Sequence, residues 1–189
     1  MRTAVMTIML LWASPVWAED PAQIIEHFYA RLLEAMKSGM DFQGRFDALA
    51  PVVDQTFDLA GMTRLAVGPR LPPEDFDHVV AAFRRYTITN YARQFGSWEG
   101  ERFETGTPAP AHGGGQLVPS RIIPATGESA RLTYLMKQQD GGWRVADVLL
   151  DGTISQLAVR RSEFQSVLKQ SGAEGLVQVL DQRSTTMAE

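Results

Sequence analysis

The chain has no cysteine, which excludes disulfides, thiolate nucleophiles, zinc–thiolate sites and lipoprotein attachment. Histidine is almost as scarce. His27, His78 and His112 are the three present, and none has a second ligand at metal-binding spacing. Charge of one sign never accumulates: 18 basic and 22 acidic side chains leave a net −4 with no basic block. Nucleic acid is therefore not an expected partner, and a surface without a polybasic patch does not adsorb unaided to anionic membranes. There is no Gly-x-Ser-x-Gly elbow. Gly113-Gly114-Gly115 leads toward a strand, not into a helix, so it does not form a phosphate cradle. No apolar run reaches the ~20 residues that a membrane-spanning helix needs. Internal repeats and low-complexity segments are also missing.

What is present is an ordinary globular composition, 44% hydrophobic and 21% charged over 189 residues, enough for one domain with a real core. The N-terminus carries more information. Arg2 starts a mostly apolar stretch from Thr3 to Trp12, and Val16-Trp17-Ala18 fits a signal-peptidase site. The expected division is a signal peptide at 1–18 and a single domain at 19–189. Loss of Arg2 takes the 18 basic residues to 17 against 22 acidic ones, a net −5. A chain exported in this way, without cysteine, is held together by packing alone.

Asp20-Pro21 pairs an N-cap acceptor with proline at the first helical position. Ile24, Phe28, Leu32 and Ala35 then form an apolar stripe that Ser38-Gly39 ends. A second helix is expected over Phe42–Phe57 and a third from Asp58 as N-cap to Val67-Gly68. The longest opens at Leu71-Pro72-Pro73-Glu74 and runs to Phe95-Gly96, across the β-branched patch Thr87-Ile88-Thr89, a poor local helix former. Beyond Gly96 the pattern changes to strands, expected at Trp98–Thr105, Gln116–Pro124, Ser129–Gln138 and Gly142–Leu150, with Pro108–Gly115 as loop. Asp140-Gly141-Gly142 supplies the left-handed residues of a hairpin joining the last two strands. Two helices, Ile154–Gln170 and Ala173–Arg183, close the chain on either side of Ser171-Gly172. The expected class is α+β: about six helices on one face of a curved antiparallel sheet of about four strands.

One corner concentrates polar chemistry. Trp143 to Phe164 reads WRVADVLLDGTISQLAVRRSEF. A bulge near Asp147 would put Val145 and Val148 on one face, Asp151-Gly152 makes a turn, and Thr153 with Gln156 fits a capping box. Arg160 or Arg161 is in reach of Asp147 or Asp151. Two carboxylates could serve as acid and base, but nearby arginines hold both ionised, which is poor for a general acid. Asp147, Asp151, Gly152 and Arg160 are read as a structural corner, and no residue is assigned as catalytic. Neither a cofactor nor a metal is expected. Periodicity does not distinguish a filled core from a hollow one.

Three stretches carry a family resemblance: Asp58-Leu59-Ala60-Gly61-Met62-Thr63-Arg64-Leu65-Ala66-Val67-Gly68; Phe83-Arg84-Arg85-Tyr86 with Tyr91-Ala92; and Trp143-Arg144-Val145-Ala146-Asp147-Val148 followed by Asp151-Gly152, Ser155, Arg160 and Phe164. Across essentially the whole mature chain these resemble the periplasmic phospholipid-shuttle family, the C component of the Mla lipid-asymmetry pathway, also called toluene-tolerance auxiliary proteins. The variants Asp151-Gly152-Thr153-Ile154-Ser155 and Ala158-Val159-Arg160 look like its branch associated with hopanoid biosynthesis. The resemblance implies a cystatin- or nuclear-transport-factor-like sheet wrapped by helices around an apolar pocket. It also implies carriage of a phospholipid or hopanoid between inner and outer membranes by a monomer. The implied partners are an inner-membrane lipid transporter and outer-membrane donor or acceptor proteins. Stripe position and resemblance together place Phe57, Leu65, Val67, Phe83, Tyr86, Tyr91, Leu132, Tyr134, Val145, Val148, Leu150 and Ile154 on the pocket wall. A small-pocket enzyme using Asp147 and a scaffold with a filled core are the competing readings.

Overall fold

The computed structural model describes residues 20–69, 71–139 and 142–189. The expected signal segment and the Asp140-Gly141 hairpin tip lie outside the described residues. Helix α1 (Pro21–Lys37) starts as its sequence dictates: the Asp20 carboxylate accepts from the Ala22 N–H and Gln23 reaches back to the Asp20 N–H, a reciprocal cap. It buries Ile25, Phe28, Tyr29, Leu32, Ala35 and Met36, a stripe at helical spacing. Helix α2 (Phe42–Thr56) begins at Asp41 and α3 (Leu59–Val67) at Asp58, each carboxylate capping a backbone N–H three residues on. Helix α4 (Pro73–Gln94) keeps Thr87-Ile88-Thr89 helical, because Ile88 and Thr89 are buried and packing outweighs propensity.

The six strands among the described residues are β1 (Arg102–Thr105), β2 (Ala109–Pro110), β3 (Gln116–Ile123), β4 (Ala130–Gln139), β5 (Gly142–Leu150) and β6 (Ile154–Ser155). They form one antiparallel sheet in the order β1-β3-β4-β5-β6, with β2 also paired to β3. The extra strands are two-residue edge pieces, too short for alternation to reveal. Pro110 is tolerated in β2 because an edge strand has a side that needs no donor. The first strand starts at Arg102 instead of Trp98. Residues 98–101 are tied into a turn, with the Trp98 indole N–H donating to the Glu101 carbonyl at 3.1 Å.

Helix α5 (Gln156–Ala188) follows β6 and packs along α4 and α3. Its N-cap is Ser155, whose hydroxyl accepts from the Ala158 N–H at 2.8 Å, and not Thr153 as the capping-box spacing suggested. The reason lies one turn earlier. Asp151 and Gly152 both adopt positive φ, 51° and 74°, the geometry of a tight hairpin turn. The Thr153 N–H closes that turn on the Leu150 carbonyl, and Ile154-Ser155 then return along β5. The two expected closing helices meet at a non-helical Gly172 (φ 68°, ψ −168°), where the sequence placed the split; taken together as α5 they make five helices among the described residues. An L side chain at that combination of φ and ψ, which essentially only glycine adopts, costs about 1–3 kcal/mol. Replacement of Gly172 by alanine, which would meet no atom within 4 Å, should therefore destabilise through the backbone alone, lowering Tm by about 2–12 °C for a domain of this size. Thermal unfolding that is unchanged would show that α5 does not break there.

Candidate functional site

Direct cross-strand pairs define the inner face of the sheet: Val118, Tyr134 and Val148 lie in one row, and Ser120, Leu132 and Leu150 in the next. Between Leu135 and Met136 the pairing with β5 slips, with Leu135 opposite Asp147 and Met136 opposite Val145. The unpaired Ala146 is the extra residue of a bulge. Without it Val145 and Val148 would point to opposite faces, since strand side chains alternate.

Helices α1, α3 and α4, the Phe57 cap of α2 and the start of α5 do not close fully on this face. A cavity of about 290 Å³ remains, bounded below by Ile122, Leu132, Tyr134, Val148 and Leu150 and above by Tyr29, Leu32, Phe57, Met62, Phe83, Tyr86, Tyr91 and Phe95. Much of the wall is a connected ring cluster. Phe57 and Tyr91 stand 5.7 Å apart, Phe28 meets both edge-on, and Tyr91 stacks on Phe95. Such pairs add stabilisation beyond the area they bury.

Where α1 meets the sheet, the Tyr29 hydroxyl lies 2.7 Å from the Ser120 hydroxyl and 3.0 Å from that of Tyr134. Burial raises the Tyr29 phenol above its ordinary value, and the bonds to Ser120 and Tyr134 lower it by less. Burial likewise holds Tyr91 and Tyr134 well above the usual tyrosine range, with the neighbouring tyrosines adding to the effect. One end of the cavity is polar and partly open, formed by Thr87, Asn90 and Gln94 of α4 and by Gln156 and Arg160 of α5.

Of the twelve residues expected on the wall, the structure brings Phe57, Phe83, Tyr86, Tyr91, Leu132, Tyr134, Val148 and Leu150 to this cavity. The other four stand elsewhere. Leu65 is 59% exposed on the outer side of α3 and Ile154 is 50% exposed on β6. Val67 is packed in the core at the end of α3, and Val145 is buried beyond the cavity beside Phe57, with which it forms a bridge. Sequence reasoning missed Tyr29, Leu32, Met62, Phe95, Ile122, Ala130 and Leu157, together with the polar residues of the mouth. The mouth had a signal in the β-branched patch and the Thr87, Asn90, Gln94 spacing, which interrupts the apolar face of α4 at helical intervals.

The corner is architectural, and its wiring differs from expectation. Asp147 is buried on the far side of β5 and does not line the cavity. One of its carboxylate oxygens accepts from the Val148 and Leu157 N–H groups at 2.7 and 3.0 Å, the other from the Ser155 hydroxyl at 2.5 Å. It therefore ties the strand to the start of α5. Asp151 pairs at 3.5 Å with Arg131 in an exposed contact. Arg160 reaches neither aspartate. Its guanidinium lies 4.9 Å from the Tyr86 ring centre and bonds Glu163 at 3.0 Å. Among the described residues no group of three or more His, Asp or Glu side chains is placed to hold a metal ion.

Tyr29, Tyr91 and Tyr134 share a consequence. Each folded-state value lies above the ordinary 10.0, so the unfolded chain ionises first as pH rises. Their contribution to stability is complete below pH 10 and is lost above it. Alkaline titration followed by tyrosinate absorbance should show these three ionising only as the fold is lost, and the unfolding free energy should fall steeply above pH 10. Tyr29→Phe should cost about 1–3 kcal/mol, since it leaves two buried hydroxyls short of a partner. Denaturant unfolding measures that loss.

The comparisons with known proteins agree with this geometry. Over 90% of the chain and 100% of its counterpart, the fold superposes with a TM-score of 0.77 and 22% identity on a protein from Ralstonia solanacearum, a phospholipid-binding protein whose crystal structure holds a phospholipid. No curated protein matches in sequence. Residues 24–182 match the sequence profile described as MlaC protein. That match takes in α1 through the second half of α5, and with it every wall of the cavity: the chain belongs to the MlaC family.

Proposed function

We propose that this protein is a lipid carrier: a monomer exported by a cleaved N-terminal signal, which takes up the hydrocarbon of a phospholipid or hopanoid-type lipid and carries it between the inner and outer membranes. It would exchange cargo with an inner-membrane lipid transporter and with outer-membrane donor or acceptor proteins. One observation supports the reading above the others, the cavity walled by rings and aliphatic side chains between helices and sheet. The family and the phospholipid held by the Ralstonia protein point the same way. Leu132, Val148, Leu150, Tyr134, Phe57, Phe83, Tyr86 and Tyr91 are the lipid-contacting residues on this account.

The magnitudes are consistent. About 290 Å³ is the volume of roughly ten water molecules at ~30 Å³ each, a space on the scale of one acyl segment. Burial of each methylene contributes about 0.8 kcal/mol, so ten contribute about 8 kcal/mol, enough to retain a lipid across an aqueous gap. Release calls for a partner that offers the chain an equally apolar environment. Acid–base chemistry at Asp147 has no geometric support, because its carboxylate is spent on the helix cap and faces away from the cavity.

Mass spectrometry of the organic extract of purified protein should find a lipid at close to one per chain. An empty extract from protein shown to be folded would sink the proposal, and a converted product would favour an enzyme. Leu132→Trp and Val148→Trp, each filling the cavity from the sheet side, should reduce lipid retention by tenfold or more while leaving the fold intact. Removal of the lipid should lower Tm by several degrees, and added lipid should restore it.

A further inference from the structure

The face of the sheet turned away from the helices gathers charge that the chain order scatters. Strand side chains alternate between faces, so directly paired residues define it. Near one end Arg121 stands opposite Arg131, and at the other Lys137 stands opposite Arg144. Like charges so placed destabilise a sheet, and this face carries two such pairs. With Arg102 at its edge it holds, among the described residues, five cations against the carboxylates of Glu104, Asp147 and Asp151. The result is a net +2 on a chain whose total is −4. Between the basic pairs lie Leu117, Leu135, Leu149, Pro119 and Thr133. Pro119 is exposed and the other four are half-buried, so no described helix covers the middle of the face. At the Arg131 end the surface sinks into an open depression of about 450 Å³. Pro119 and Thr133 line it, together with the ion pairs Arg121–Glu104 and Arg131–Asp151.

We propose that this outer face is a docking surface for a partner protein that presents carboxylates around an apolar strip, whatever the cavity itself carries. An apolar centre with a charged rim is the make-up of a protein interface, and arginine is enriched there. A basic face on an acidic chain finds its complement in an acidic surface, which steers the encounter and fixes its register. A bilayer is a poorer match. Leucines flush in a pleated sheet do not enter the acyl region as the apolar face of an amphipathic helix does. Arg121 and Arg131 already hold carboxylates, where an anionic membrane calls for a cluster of free cations. A second copy is a poorer match too, since a two-fold contact sets the same basic patch against itself. From Arg131 to Lys137 the face runs about 20 Å at ~3.4 Å per residue, and its four strands span about 19 Å at ~4.8 Å each. An area of about 400 Å² per partner falls in the range of transient contacts.

The test is photo-crosslinking in cells that produce the full chain with p-benzoylphenylalanine in place of Thr133. The same replacement of Glu26, exposed on α1, is the control. The Thr133 position should give an adduct with another protein, and peptide mapping should place the link in a segment carrying at least two Asp or Glu. Arg131→Glu combined with Arg144→Glu should cut the adduct roughly tenfold, as loss of electrostatic steering does. Exchange of the mapped partner carboxylates for lysine should restore it. The two substitutions turn both like-charged pairs into opposite-charged ones, so Tm should not fall. If the double variant does not fold, 1 M NaCl with the purified wild-type pair supplies an independent arm: screening within about 3 Å should suppress the adduct. The proposal is overturned by no adduct above the Glu26 control, or by an adduct within the chain, with a second copy, with lipid or with a segment lacking carboxylates. An adduct that survives both charge reversal and high salt overturns it as well. None of these results bears on whether the cavity holds a lipid.

Discussion

The hydroxyl of Tyr29 sets how far the helical layer stands from the sheet. It reaches from α1 to Ser120 on β3 and Tyr134 on β4, and its ring stacks on Phe103 of β1 at 4.6 Å. One side chain therefore ties three strands to the helix above them. Three buried hydroxyls satisfied by one another are costly to separate, because a broken member leaves its partners unpaired in a low-dielectric interior. A phenol is also rigid over its length, so the contact holds a distance where a flexible aliphatic side chain would let the layers settle together. The cavity opens beside this strut, and its volume depends on the separation that Tyr29 imposes.

An unfilled interior runs against the tendency of apolar surfaces to close. What resists closure here is the choice of side chains around it. Phe57, Phe83, Tyr86, Tyr91 and Phe95 occupy the helical side, and each has its orientation fixed by ring neighbours, as where Phe83 meets Phe164 edge-on at 5.6 Å. Rings locked in mutual contact do not swing into a void as methionine or leucine would. At the mouth the composition turns polar, and the partly buried arginine there distinguishes one end of the cavity from the other. The site is thus built as an amphiphile is, greasy along its length and charged at its head.

Strand β5 carries most of the coordination between parts. Its inner face supplies Val148 and Leu150 to the cavity, while Asp147 on the far face holds the start of α5 through the Leu157 N–H and the Ser155 hydroxyl. Its free edge is covered where the Asp58 N–H donates to the Val145 carbonyl at 2.9 Å, so the α2–α3 junction protects a strand that would otherwise be open to pairing. The bulge at Ala146 reconciles these duties. By adding one residue it keeps Val145 and Val148 on the core side and lets Asp147 turn outward. The corner that drew attention as possible chemistry is there to set the angle between the sheet and the last helix.

Much of the architecture was legible in local chemistry. Asp20-Pro21, Asp58 and Gly172 mark helix ends because caps and left-handed positions depend on a few adjacent atoms, and the core stripe of α1 follows from the 3.6-residue repeat. The error over Leu65 and Val67 was legible too, since two residues two apart on a helix point to nearly opposite sides and cannot share a wall. Other features depended on contacts between distant segments. Whether Ile154 starts a helix or ends a sheet turned on its pairing with Leu150. Whether Arg160 reached Asp147 or faced Tyr86 turned on where α5 lies against α4. The cavity itself has no local signature, because an apolar residue facing a void and one facing a neighbour obey the same periodicity. Chain chemistry determined which residues face inward, and only the packing of helices on sheet, held apart by rigid rings and a buried hydroxyl network, decided that the inside was left partly empty.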